Sequence, residues 1–438
     1  MSLKRSLKLR DLILYGIVVI QPVAPMSVFG VLSEKGRGHV VTAILIAMVA
    51  MLFTGVSYGR MARAYPSAGS AFTYVAREIS PFLGYVVGWG MVMDYILNPT
   101  ICTIWCSQQA HIFAPAVPPA IWKVLFASAF TLLNLRGIQS SAKLNAGMAA
   151  AMGVVIAVFF VAAGHHLFAS ASRAPAFFSR PFYDPATFSV SGLLQCTSLA
   201  VLTYIGFDGI STLSEEAENP RRNILLATVG TCLVIGVLSA AEVYVAQLLW
   251  PAGSGFPDVD TAYVWVAGMA WKPLFQVFGI VLLIANFGSG LAAQLGAARL
   301  LYGMGKSGAL PRSFFGRVDP SHRIPRNNVL IIGAIVLAGA FALSYELGAE
   351  MLNFGALIAF MGVNLAALVR YYVRAAGNRR LGNFMVPALG FAICLALWLH
   401  LGRAALLAGA VWMVCGLGFG WWTTAGFRKQ LSFDEVLT

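Results

Sequence analysis

Charge is what this 438-residue sequence has least of. Asp, Glu, Lys and Arg together make up 11% of it, less than half of the roughly 25% usual in soluble domains. With 59% hydrophobic residues and a mean hydropathy of +0.77, a soluble protein with one anchor is excluded. Cysteine is also sparse. Cys102, Cys106, Cys196, Cys232, Cys394 and Cys415 all fall in apolar stretches, away from any extracellular disulfide framework. Cys102 and Cys106 are one helical turn apart with no His or second Cys pair beside them, so they read as packing residues and no metal is expected. The six histidines (39, 111, 165, 166, 322 and 400) lie at segment ends or in loops, so none is placed to relay protons mid-membrane. No Ser/His/Asp set is present, and a membrane enzyme is set aside. Gly303-Met-Gly305-Lys306-Ser307 has the look of a phosphate loop, but Leu300 stands where its first glycine belongs and no βαβ unit surrounds it. ATP-driven transport by this chain is excluded, and no cofactor is expected.

What is there is apolar length. Twelve segments of about 20 residues or more can each span a bilayer: 11–31, 39–61, 82–110, 120–136, 144–164, 190–214, 223–249, 271–302, 328–345, 348–371, 383–401 and 404–425. The first follows Lys4, Arg5, Lys8 and Arg10 like a signal peptide, but its length, its prolines and the lack of a cleavage box make it a first membrane helix. Acidic residues number 17 against 30 basic ones, a net charge of +13. With the N-terminus inside, most Lys and Arg fall on the cytoplasmic side, including Arg60/Arg63/Arg77, Arg312/Arg317/Arg323/Arg326 and Arg370/Arg374/Arg379/Arg380. This is the positive-inside pattern of an even number of spans. Both termini are expected to be cytoplasmic in a multi-pass cell (inner) membrane protein. The basic balance then points to anionic lipid as partner, with no nucleic acid. One transmembrane domain is expected over 1–425, with a short cytoplasmic tail at 426–438.

Two segments are interrupted. In Ile20-Gln21-Pro22-Val23-Ala24-Pro25-Met26 two prolines remove two backbone donors and disfavour helix before each. In Tyr204-Ile205-Gly206-Phe207-Asp208-Gly209 two glycines flank a carboxylate. These are segments one and six, each opening a block of five: repeat one about 11–164, repeat two about 190–371. An odd number of helices per block gives the repeats opposite orientations, and broken helices at matching positions mark a transporter's central site. Segments eleven and twelve (383–425), with Gly416-x-x-x-Gly420, form an accessory or dimerisation pair. A monomer or homodimer is expected.

Few ionisable groups lie within spans: Asp94, Asp208 and, toward the outer part of segment seven, Glu242. An ionised carboxylate at the bilayer centre costs about 2.5–3.5 kcal/mol on insertion scales. No Lys or Arg lies at the depth of Asp208, so a proton or a cationic substrate is expected to answer its charge. The structural alternative for Asp208 is a cap on the exposed amides of the break. For Asp94 it is pairing with Tyr95 and Asn98 within its own helix. Tyr95, Trp89 and Tyr204 could wall an ammonium by cation–π contact, Tyr204 foremost because it adjoins the break. Asn286, Ser289 and Asn353 could line a cavity or hydrogen-bond between helices. At the exit of segment six, Glu215, Glu216 and Glu218 with Arg221 and Arg222 read as a solvated helix end. An ion-pair gate joining Arg60 or Arg63 to that cluster is the functional alternative.

Three ordered signatures resemble the amino acid–polyamine–organocation (APC) family over roughly 5–425: Tyr58-Gly-Arg through Pro66-Ser-Ala-Gly69 to Tyr74, Gly206-Phe-Asp through Glu215 to Arg222, and Arg299 through Lys306 to Pro311 with His322-Arg-Ile-Pro325. Gly84-x3-Gly-Trp89-x4-Asp94-Tyr95 and Asn353-Phe-Gly-Ala356 are most similar to its putrescine-importer branch. The resemblance implies an all-α membrane protein of twelve transmembrane helices. Its fold would be the 5+5 inverted-repeat, LeuT-like transporter fold with discontinuous helices one and six. It places Ile20, Gln21, Val23, Ala24, Tyr204, Ile205, Gly206 and Asp208 around the substrate. Two departures stand out. The family's Gly-Ser-Gly type of break is Ile20-Gln21-Pro22 here, and the helix-five lysine of some proton-coupled members is Met152. The expectation is a secondary active transporter that imports a small amine, putrescine or a related polyamine first, driven by protons or membrane potential. An amino acid permease or antiporter is the alternative, and a cation channel the least favoured reading.

Overall fold

The structure, a computed structural model, describes residues 7–65, 70–136, 142–169, 176–215, 217–250, 253–306, 310–319, 324–375 and 379–423. Seventeen helices follow one another: α1 (Leu9–Ile20), α2 (Ala24–Gly36), α3 (Val40–Ala64), α4 (Ser70–Glu78), α5 (Pro81–Phe113), α6 (Pro119–Leu135), α7 (Ala142–Ala169), α8 (Val190–Ala200), α9 (Gly209–Thr212), α10 (Pro220–Leu249), α11 (Ala262–Ala270), α12 (Lys272–Lys306), α13 (Arg312–Phe315), α14 (Arg326–Ala342), α15 (Tyr345–Leu368), α16 (Leu381–Leu399) and α17 (Arg403–Thr423). No strand is assigned among the described residues.

Eight spans among the described residues are long and apolar enough to cross a membrane, and α1 with α2 forms a ninth, bent by 46°. Helices α6 and α14 are apolar but shorter, and α5 runs for 33 residues. The ends follow local chemistry. Ser80 caps α5 by accepting from the Leu83 amide at 3.2 Å, with Pro81 in the first turn. Ser344 caps α15 in the same way through Leu347. Polar side chains inside spans are returned to the backbone, as Thr103 and Ser107 donate to Pro99 and Thr103 carbonyls four residues back.

The core is centred on α3, α5, α10, α12 and α15. Helices α5 and α15 come so close that a Cβ on Gly355 would run into the Gly90 carbonyl. Valines and leucines stay exposed on the outside of α7 and α17, among them Val161, Leu407 and Val414, the surface a bilayer would cover.

The accessory pair is part of the same body. α16 packs on α15, α3 and α8, and α17 on α15 and α5. The Tyr85 hydroxyl donates to the Gly416 carbonyl at 2.6 Å, and a Cβ on Gly416 or Gly420 would strike Trp89 or Tyr85. The small-residue pair, expected in an accessory or dimerisation pair of helices, is packed here within the chain. Trp89 is likewise turned away from the break. Its ring stacks on Trp412, Tyr85 and Phe419 at 5.1, 6.2 and 6.1 Å. Trp89 and Trp412 each donate an indole N–H to the other's carbonyl, at 2.9 and 3.1 Å. Trp89 is thus committed to contacts with Tyr85 and α17 and is not among the residues beside the break.

Candidate substrate site at the two broken helices

Segment one breaks at residues 21–23. Gln21 adopts a left-handed φ of +69°, and Pro22 deprives the Val18 carbonyl of its usual helical donor. The Gln21 amide group reaches across to α12 and donates to the Ala285 carbonyl at 3.1 Å. Ile20 and Val23 are buried, while Gln21 and Ala24 are partly open.

Segment six loosens in stages. Helix α8 ends at Ala200 and a 3₁₀ turn covers Val201–Tyr204. Ile205 then leaves helical geometry, and Gly206 sits at φ +117°. A side chain there would be strained and would meet Val19 Cγ1 at 2.9 Å and the Ile20 amide nitrogen at 3.6 Å. The two breaks thus touch each other through Gly206.

Asp208 follows at once. Its carboxylate lies against the amides of Gly206, Gly209 and Asp208 itself, the exposed amides of the break. Asp94, on α5, is close enough to Asp208 for the two to interact electrostatically. Both are only partly buried, and neither interacts with a Lys or Arg among the described residues. Tyr58 and Tyr95 lie within electrostatic range of both carboxylates. Tyr95 packs against Gly296 of α12 and keeps 37% of its surface open, as a ring bordering an internal space does. Tyr15 completes this side, its hydroxyl 3.8 Å from the position a Cβ on Gly209 would take.

The remaining candidates are scaffold contacts at this site. Asn353, fully buried on α15, donates to the Ser198 and Leu199 carbonyls at 2.9 and 3.1 Å and so straps the end of α8. Asn286 donates to the Ser27 hydroxyl at 3.0 Å, tying α12 to α2. Ser289 donates to Asn98 at 3.4 Å. Tyr204 is buried with its hydroxyl on the Ile44 carbonyl at 2.9 Å, which fixes the break to α3. Sequence reasoning passed over Tyr58 and Tyr15. Tyr58 stands in a quoted signature but had no pattern tying it to Asp208, since only folding brings α3 beside the break.

Residues 25–429 match the amino acid permease family. The chain belongs to that family. It is 34% identical to the low-affinity putrescine importer PlaP of Escherichia coli (strain K12), over 99% of this chain and 97% of that protein. It is 24% identical to the branched-chain amino acid permease BcaP of Bacillus subtilis (strain 168), over 95% of this chain and 92% of the relative. The methylthioribose transporter of the same organism is also 24% identical over the same shares.

The permease is tied at both ends of α15. At the basic end Glu78, 2% exposed, is paired with Arg370, and with Arg374 at 3.2 Å. The Tyr65 hydroxyl donates to the same carboxylate at 2.7 Å. At the opposite end Lys35 of α2 pairs with Glu346 at 2.6 Å and Glu350 at 2.9 Å. Of the expected gate, Arg60 donates instead to the Gly382 carbonyl at 3.4 Å, and Arg63 and Arg221 are exposed. Among the described residues none of these three forms an ion pair. Glu216 and the side chain of Glu215 lie outside the described residues.

Proposed function

We propose that this permease imports a small cationic amine, putrescine or a close polyamine first, by alternating access around the two breaks. The observation that carries this reading is the interacting pair Asp94 and Asp208, two carboxylates that no Lys or Arg answers among the described residues. A diamine would place one ammonium on each, with Tyr95 beside it for cation–π contact. The likeness to a putrescine importer over nearly the whole of both chains supports the same substrate. Adding α5, α6, α14 and the bent pair to the eight long spans supports a twelve-span arrangement of two inverted five-helix repeats and an added pair. In that reading both termini and the basic end face the cytoplasm of a cell (inner) membrane protein. An inside-negative potential then drives a cation inward by about 2.3 kcal/mol per charge per 100 mV.

Uptake of labelled putrescine, alanine and arginine into proteoliposomes tests the proposal. Saturable putrescine uptake with counterflow is expected, falling about 10- to 100-fold in Asp208→Asn, the worth of one charge-assisted hydrogen bond of about 1.5–3 kcal/mol. A smaller loss is expected in Asp94→Asn. A parent protein that carries alanine and ignores putrescine would move the assignment to an amino acid permease. Normal putrescine uptake by Asp208→Asn would remove Asp208 from the site.

A further inference from the structure

The site above makes no use of Glu242. This residue lies on α10, fully buried, and among the described residues both of its carboxyl oxygens are without a hydrogen-bond partner. One turn earlier the Ser239 hydroxyl is equally enclosed and unpartnered. The elements packed on α10 are α1, α2, α3, α7, α9 and α11, with the 3₁₀ turns at Val201–Tyr204 and Leu213–Glu215. Among the described residues no Lys, Arg, His, Asp or Glu from any of them interacts with Glu242, and Tyr263 of α11 is the one titratable group that does. The Tyr263 hydroxyl donates to the backbone carbonyl of Glu242 at 3.2 Å, which leaves the carboxyl itself unserved. A bare carboxylate enclosed in this way is prohibitive, and such a group holds a proton instead.

Aromatic rings packed beside it lead to a cavity. Tyr263 meets Phe29 of α2 edge-on at 5.4 Å, and Phe29 meets Phe256 at 5.9 Å. Phe29 and Phe256, with Gln247, Leu248 and Leu249 of α10, line a cavity of about 740 Å³ on the end opposite the basic loops. Glu242 precedes those α10 residues by five to seven positions, roughly 7–10 Å along the axis. Tyr263, bonded to the Glu242 backbone, thus touches a ring that lines the outer cavity. That ring, Phe29, belongs to α2, the helix that starts at the break in segment one.

We infer that Glu242 is a proton-binding site that licenses closure of the outer side, a role that rests on the carrier reading above. With α2 and α11 apart, the carboxylate takes a proton from outer water, the new O–H bond forming on a carboxylate oxygen as hydronium gives up its proton. Only the neutral acid can then be covered by Phe29 and Tyr263. Outer acidity thereby promotes closure and import.

The experiment uses the full chain in proteoliposomes, with uptake of putrescine, alanine and arginine followed against external pH. In the parent, uptake should climb as external pH falls, approaching tenfold per unit where the carboxylate predominates. Glu242→Gln, neutral at every pH, should match the parent at acidic pH and lose that dependence. An unchanged pH profile in Glu242→Gln overturns the proposal, and so does a folded variant with no uptake at any pH. Infrared difference spectra decide the matter without a substrate. A protonated-carboxyl stretch should vanish in Glu242→Gln and shift when glutamate carboxyls carry ¹³C in the parent, which also covers a variant that fails to fold. No glutamate contribution to that band overturns the proposal. If the parent carries none of the three compounds, the substrate reading fails while the infrared result still stands for Glu242.

Discussion

Tyr58 shows how a single side chain can be buried without being satisfied. Its hydroxyl is enclosed and has no hydrogen-bond partner among the described residues, while its ring contacts Phe207, Tyr74 and Phe360 edge-on. Removing an unmet buried hydroxyl costs little, whereas stranding its former partner costs about 1–3 kcal/mol. Tyr58→Phe should therefore leave the melting temperature in detergent unchanged or slightly higher, and reduce putrescine uptake only if the hydroxyl serves the Asp94–Asp208 space. A fall of several degrees would show that the hydroxyl has a partner. At this scale the sequence was legible for the carboxylates, because charge in an apolar run is conspicuous. It was silent on Tyr58, since an aromatic ring on a membrane helix looks the same whether it lines a cavity or fills the core.

Helices were easier to read than the contacts between them. The twelve apolar segments correspond to helices whose ends differ from them by a few residues, and Pro22, Pro25, Gly206 and Gly209 marked the two interruptions. Hydropathy alone could not reveal α4 and α11, whose short lengths carry no spanning signal, or the Glu78–Arg370 pair, which joins residues nearly 300 positions apart. The break in segment six rests on one backbone conformation. Gly206→Ala would force a side chain into φ +117° and onto Val19, a strain of about 1–3 kcal/mol. The expected outcome is a melting temperature lower by a few degrees, with a matching loss of uptake, read by thermal unfolding in detergent and by proteoliposome assay. An unaltered melting temperature would mean that the break relaxes at no cost.

For the molecule as a whole, stability should depend on acid through the Lys35 end. At the Lys35 end, burial together with Asp258, Glu346 and Glu34 pushes the Asp260 carboxyl up to about 7, against the opposing pull of Lys123. A carboxyl whose folded-state value is raised binds its proton more tightly in the native state, so its contribution to stability is greatest in acid and is lost as pH rises toward and through 7. The melting temperature should rise between pH 8 and pH 5, and Asp260→Asn should flatten part of that rise. Identical slopes for parent and variant would show that Asp260 titrates alike folded and unfolded. Sequence could place Asp260 only in a loop. Trp105 of α5 holds that loop, its indole N–H donating to the Asp260 carbonyl at 2.7 Å.

The reciprocal pair formed by Trp89 and Trp412 has an optical consequence. Two indoles stacked at 5.1 Å and bonded to each other's backbone absorb as a coupled pair, and coupling of this kind changes steeply with separation and tilt. One ring rides on α5, five residues before Asp94, and the other on α17. The chain therefore carries a gauge of its own: the near-ultraviolet circular dichroism of this pair registers any motion of the Asp94 helix against the added helices, with no label attached.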